Sequence, residues 1–166
     1  MHRLQSNQGF TLVELMVGLA LTVFLLLMAM PSASVYILDS KIRTVAQAYY
    51  DGAQMARAEA LRRNANVALG LTDSGLGWKL MVGEIEIASK PAESATAVTV
   101  ETEQETVTFD SLGRTSQANA VTFKSTNAAC LEDSGGQRCL RVVISPGGQV
   151  RLCDPSITDE GDNRKC

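Results

Sequence analysis

The chain has one histidine in 166 residues, at position 2. General acid–base and nucleophilic centres most often recruit an imidazole, and here none follows the second residue. No glycine-rich phosphate loop and no nucleophile motif occurs either. Aromatic residues make up 5% of the chain, too few to build a platform for stacked nucleic-acid bases. The formal net charge is −3, with 15 basic and 18 acidic residues, so no polyanion-binding bias stands out. There is no C-x-x-C pair: the four cysteines, Cys130, Cys139, Cys153 and Cys166, are separated by 8, 13 and 12 residues. A structural zinc site calls for tighter pairs. The sequence therefore offers no catalytic residue, no metal ligand set and no cofactor site. It holds no internal repeat. The expectation is a protein that is not an enzyme.

What the chain does have is a long apolar run. From Leu15 to Leu38 there are 24 residues without a charge. As a helix rising about 1.5 Å per residue this covers about 36 Å, enough for a hydrocarbon core of roughly 30 Å. At its mouth stands GFTLVELMVG, Gly9 to Gly18, with one carboxylate, Glu14. A charge at membrane depth costs a few kcal/mol even on lenient scales. An ordinary secretory signal has 7–15 apolar residues and a cleavage site after them. The run here is longer, although Ser32-Ala33-Ser34 forms a weak small-residue site that would leave Val35 first. A plain signal anchor leaves Glu14 without a role. Cleavage after Gly9 gives it one. The new ammonium on Phe10 lies four residues from Glu14 and can meet it within a helix or between packed helices. Breaking a buried pair by removing one partner costs about 3–5 kcal/mol, enough to fix the register of stacked subunits.

Beyond the apolar run, Ile42, Val45, Ala46, Tyr49, Ala53, Ala56 and Ala60 recur at spacings of 3 and 4. This is one face of an amphipathic helix, expected to end near Arg63, with Asn64-Ala65-Asn66 as its stop. Pro31 removes an N–H and is expected to kink or loosen the helix. After Asn66 the period changes to 2. Strands are expected at Val67–Leu71, Gly77–Val82, Glu84–Ile87, Ala97–Glu101, Thr106–Asp110, Ala120–Lys124, Cys139–Ser145 and Gln149–Cys153, with Ser89–Ala97 as an exposed loop. Helix first and strands after implies an α+β fold, a sheet packed on a long N-terminal helix. The domain plan is residues 1–9 as a leader, 10–63 as the helix with about 15–38 in the membrane, and 64–166 as a β-rich domain.

The late hairpin can be registered from its faces. A three-residue loop, Pro146-Gly147-Gly148, opposes Ile144 to Val150 and Val142 to Leu152, with Leu140 on the same side. Two-residue loops would oppose Arg151 to Val142 or Ile144 and mix the faces. Gly148 then takes the left-handed position such loops need. Arg141 and Arg151 share the other face with Cys139 and Cys153, which lie diagonal and are poorly set to bridge each other. An even number of cysteines behind a membrane-directed N-terminus reads as two disulfides in an oxidising compartment. The favoured pairs are Cys130–Cys139 and Cys153–Cys166.

Gly9-Phe10-Thr11-Leu12-Val13-Glu14-Leu15 resembles the processing site of type IV pilins and type II secretion pseudopilins. The resemblance implies that a prepilin peptidase cuts after Gly9 and methylates the new N-terminal Phe10. It implies that Glu14 is the assembly residue and that Pro31 matches a proline the family often carries. Ala56-Arg57-Ala58-Glu59-Ala60, followed by Arg62-Arg63-Asn64, is similar to the end of the long helix in the GspH/FimT branch. Phe109-Asp110-Ser111-Leu112-Gly113-Arg114 is similar to a mid-domain turn of that branch. Read alone, the first stretch is a solvated helical face and the second a tight turn with positive φ at Gly113. The branch also implies a C-terminal Gly-Arg-x-Arg motif linked to DNA. Here it reads Gly148-Gln149-Val150-Arg151, with the final arginine present and the first replaced. Acidic neighbours at Glu132, Asp133, Asp154, Asp159, Glu160 and Asp162 oppose the basic residues nearby. Arg141, Gln149 and Arg151 are therefore candidate DNA contacts for which a structural role is the favoured reading.

The function implied is that of a FimT/FimU-like minor pilin that primes a type IV pilus or sits near its tip, serving adhesion, twitching motility or DNA uptake. Two alternatives stand beside it: a GspH-type minor pseudopilin of a type II secretion system, and a membrane-anchored periplasmic binding domain that does not assemble. The partners implied are the prepilin peptidase, other major and minor pilins or pseudopilins through the N-terminal helix, the inner membrane, and DNA as a candidate. The location implied is the bacterial inner membrane as a single-pass protein with its C-terminal domain in the periplasm, and then the fibre.

Overall fold

The computed structural model describes residues 10–92 and 97–166, with the side chains of residues 28–33 left out of that description. The expected leader Met1–Gly9 and the middle of the SKPAESATA loop lie outside the described residues. One helix, α1, runs from Leu12 to Arg63. The chain divides into two compact units, one up to Tyr36 and one from Ile37 to Cys166, and α1 contributes to both. The boundary therefore falls inside the helix rather than at its end.

In the second unit the expected apolar face is the buried one. Ile42, Val45, Ala46, Tyr49, Ala53, Ala56 and Ala60 are all in the core. Four of these seven are alanines, which lets the strands come close to the helix backbone. Gly52 shows how close. A Cβ built there would lie 2.7 Å from Cε2 of Trp78. A glycine inside a helix costs roughly 1 kcal/mol relative to alanine. The indole seated on it is the reason it is tolerated. The helix stops as the sequence suggested. Asn64 turns left-handed at φ 49°. The N–H of Ala65 donates to the Ala60 carbonyl and that of Asn64 to the Leu61 carbonyl. This is a Schellman arrangement with asparagine in the place glycine usually takes.

Among the described residues eight strands follow: β1 Val67–Thr72, β2 Gly77–Val82, β3 Ile85–Lys90, β4 Val98–Thr102, β5 Thr106–Phe109, β6 Asn119–Ser125, β7 Leu140–Ile144 and β8 Val150–Cys153. All pairings are antiparallel. The strands form two sheets of four, in the orders β3-β2-β1-β5 and β4-β6-β7-β8. The antiparallel β-domain packed on the helix is the one expected, and its division into two sheets is what the structure adds. The alternation of Val107 and Phe109 sends β5 back onto β1, where Val67 opposes Phe109. β4 pairs instead with β6. A buried polar knot fastens the crossover. Asn119 donates from Nδ2 to the Gln104 carbonyl, and Thr102 holds Gln104 through its hydroxyl. β3 also runs further than expected, because Ser89 and Lys90 pair with Lys79 and Trp78 of β2 instead of joining the loop. Both sheets pack on the helix and share one core, with Leu69, Leu80 and Phe109 from one and Val121, Phe123 and Ile144 from the other. Tyr49 of the helix packs on Phe123 with ring centres 5.9 Å apart.

Candidate assembly and processing site

The helix begins with a cap. The hydroxyl of Thr11 accepts a hydrogen bond from the N–H of Glu14 at 3.2 Å. Thr11 is thus the N-cap, Leu12 the first helical residue and Glu14 the third, the T-x-x-E spacing of a capping box. A carboxylate in the first turn also complements the helix dipole. The helix thus starts two residues after Phe10, where the domain plan places its beginning, and the four-residue signature of the cap is present in the sequence. Phe10 lies just ahead of the helix and is 85% exposed. Gly9 is outside the described residues. Leu12, Val13, Leu15, Met16, Leu19, Phe24 and Leu25 all stand exposed around the helix. Among the described residues no helix is long and apolar enough to cross a membrane. The side chains of residues 28–33, in the middle of the apolar run, lie outside the described residues. Pro31 is one of them: its backbone is helical, and its side chain lies outside the described residues.

The hairpin β7–β8 has the register of a three-residue loop. Ile144 opposes Val150, Val142 opposes Leu152 and Val143 opposes Arg151. Ser145 donates to the Gln149 carbonyl at 3.0 Å, and Gly148 donates to the Ser145 carbonyl at 2.8 Å. Gly148 has φ 76°. The tip packs on the Asp110–Arg114 turn, and Thr115 ties the two by donating its N–H to the Pro146 carbonyl. In that turn Asp110 accepts from the N–H groups of Leu112 and Arg114, and Gly113 takes φ 70°. The backbone N–H of Arg114 is the main cause holding the Asp110 carboxyl below its usual range.

The two candidate DNA-contact arginines are already engaged within the chain. Arg141 donates to Thr122 at 3.0 Å and pairs with Glu132 at 3.4 Å. Arg151 donates to the carbonyl of Lys165 at 3.0 Å. Gln149 is exposed, and its backbone N–H goes to the Ser145 hydroxyl.

The disulfides join Cys130 to Cys139 and Cys153 to Cys166. The second closes the C-terminal tail onto the end of β8. Asp154, 2% exposed, organises this tail. It accepts from Arg138 at 2.5 Å and from the Ser156 hydroxyl at 2.6 Å, and its N–H donates to the Arg164 carbonyl at 2.7 Å. Burial pushes its carboxyl up, yet Ser156 and Arg138 outweigh that and leave it below the usual carboxylate range.

At the end of α1, Glu59 pairs with both Arg62 and Arg63. Those two bonds, that of Arg62 first, lower its carboxyl to about 2. Arg57 departs from the solvated face read in the sequence. Its Nε is buried without a partner among the described residues, and its stem lies under Gly113. The three landmark stretches thus converge. The end of α1, the Asp110–Arg114 turn and the tip of the β7–β8 hairpin touch in sequence, each on the next.

One long helix carrying an antiparallel β-domain, with a capped Phe-Thr-Leu-Val-Glu start, defines the pilin-like class. The profile of the family described as type II transport protein GspH matches residues 45–148, and a prokaryotic N-terminal methylation motif matches residues 4–30. The chain belongs to the GspH family. Among solved structures it is similar to the type IV minor pilin FimU of Pseudomonas aeruginosa, at 18% identity and a TM-score of 0.58, over 73% of this chain and 94% of that one. It is also similar to the minor pseudopilin EpsH of the type 2 secretion system of Vibrio cholerae, at 11% identity and a TM-score of 0.52, over 70% of this chain and 99% of that one. At these identities the likeness is one of fold. No curated protein matches the chain in sequence.

Proposed function

We propose that this protein is a minor pilin that enters a type IV pilus through its N-terminal helix and helps to initiate the fibre or sits near its tip. The observation that carries the reading is the Gly9-Phe10…Glu14 motif at the head of a 52-residue helix whose large apolar side chains from Leu12 to Leu27 stand exposed. In this reading the prepilin peptidase removes Met1–Gly9 and methylates Phe10. The apolar segment then holds the subunit in the inner membrane until it moves into the fibre. Glu14 meets the Phe10 ammonium of a neighbour, so a charge that is costly in an apolar layer becomes a register mark. Arg141 and Arg151 serve the hairpin and the tail rather than DNA, since each already holds a partner within the chain.

The GspH family match and the fold shared with EpsH fit a second reading equally, a minor pseudopilin in a short fibre that drives protein export. Deletion of the gene separates the two. A minor pilin is expected to leave exported enzymes at normal levels and to reduce surface pili and twitching at least about tenfold. Loss of secretion with normal piliation would instead establish the pseudopilin. Complementation by the full chain should restore whichever phenotype is seen.

A further inference from the structure

The two disulfide loops make contacts that neither fibre assembly nor processing uses. The Cys130–Cys139 loop is wound on itself, with Leu131 donating to the Gln137 carbonyl at 2.8 Å and Gly135 to the Cys130 carbonyl at 2.8 Å. This winding places two consecutive residues on different parts of the fold. Gln137, 2% exposed, donates from Nε2 to the carboxylate of Asp39 on α1, across 98 positions of sequence. Arg138 donates to the buried carboxylate of Asp154, at the root of the C-terminal tail. The tail is closed by Cys153–Cys166, and Arg151 holds the Lys165 carbonyl at its far end.

We propose that the Cys130–Cys139 loop is a strap that couples α1 to the C-terminal tail, with Gln137 gripping Asp39 and Arg138 gripping Asp154, so that releasing one grip loosens both ends. The two side chains are neighbours on a ring closed at the very next residue, Cys139. A shift of the ring backbone at either residue therefore moves the other as well. Gln137 is buried, and its amide left without a partner is costly, so release from Asp39 favours a shift of the ring that carries Arg138 with it. The strap sits in the folded unit beside the turn of α1 that leads into Ile42 and Val45. Seating of that turn therefore depends on a bridge made nearly a hundred residues later. This coupling stands independently of which fibre the chain enters.

Hydrogen exchange on the full-length protein in detergent micelles tests it, read by mass spectrometry over residues 39–45 and over the tail 154–165. Gln137→Ala is expected to raise exchange about tenfold in 39–45, the size of one charge-assisted hydrogen bond, and measurably in the tail. Gln137→Glu sets a second carboxylate beside Asp39 and should raise it further. Arg138→Gln should act first on the tail and then on 39–45. Amides of β1 and β6 should keep their protection in all three, which separates release of the strap from general unfolding. The Cys130→Ser/Cys139→Ser double variant should open both segments. The proposal is overturned if each variant changes only the segment it touches, or if Gln137→Glu behaves like wild type.

Discussion

Gly148→Ala is expected to cost about 3 kcal/mol or more in unfolding free energy, a large share of what a domain of this size holds. Two effects add. At φ 76° a side chain is strained by about 1–2 kcal/mol. The new Cβ would also sit 1.7 Å from the Gly113 carbonyl oxygen, so the hairpin tip and the Asp110–Arg114 turn must part. Parting them uncovers the end of α1, because the same turn lies over Arg57 and Leu61. Gly147→Ala is the control. Its Cβ would meet only the Ser145 hydroxyl, at 3.9 Å, and it should change stability by less than about 0.5 kcal/mol. Urea unfolding of both variants checks the pair. A loss below about 1 kcal/mol in Gly148→Ala would mean the two turns are free to separate, and the convergence of the landmark stretches would carry no structural weight.

Glu14→Leu should leave the folded unit and membrane insertion intact and cut incorporation into fibres by about two orders of magnitude. That factor corresponds to the roughly 3 kcal/mol lost when one member of a buried pair is removed. The geometry of the helix start offers a competing role, since Glu14 stands at the third helical position after the Thr11 cap, where its carboxylate can complete a capping box. Glu14→Gln separates the two. Glutamine serves a capping box as well as glutamate does but carries no charge. If the charge pairs with the Phe10 ammonium of a neighbouring subunit, the Gln variant fails nearly as badly as Leu. If the residue only caps the helix, the Gln variant assembles normally. Counting the subunit in sheared fibres by immunoblot gives the answer.

Much of the fold was readable locally. The apolar face of α1 could be read because side chains three and four apart point the same way, and Ile42 to Ala60 keep that spacing without a break. The eight strands alternate clearly. The three-residue hairpin loop followed from one face having to stay apolar. What local pattern cannot carry is the choice of partner between strands distant in sequence. β5 joining β1 while β4 joins β6 depends on Phe109 reaching the core beside Val67 and on Asn119 closing the crossover, and neither is a periodic signal. For the same reason Arg57 read as a solvated residue. The turn that covers it is made by Gly113, far down the chain. Gln137 carries no local signal either, since its partner Asp39 lies on the helix 98 positions away. At the candidate site the reverse held. The N-terminal motif was legible in the sequence, and it was the cap at Thr11, a four-residue signature, that went unread.

The pilin reading depends first on what the N-terminus of the mature protein is. Intact-mass and peptide mass spectrometry of the protein purified from membranes or sheared fibres measures it directly. The expected first residue is Phe10 carrying one added methyl group on its amine, with Met1–Gly9 absent. In a Gly9→Leu variant the precursor should persist uncut, because a peptidase that closes on the backbone there has no room for a side chain. An intact Met1, or a first residue at Val35, would contradict the account, because the amine that Glu14 is held to meet would not exist.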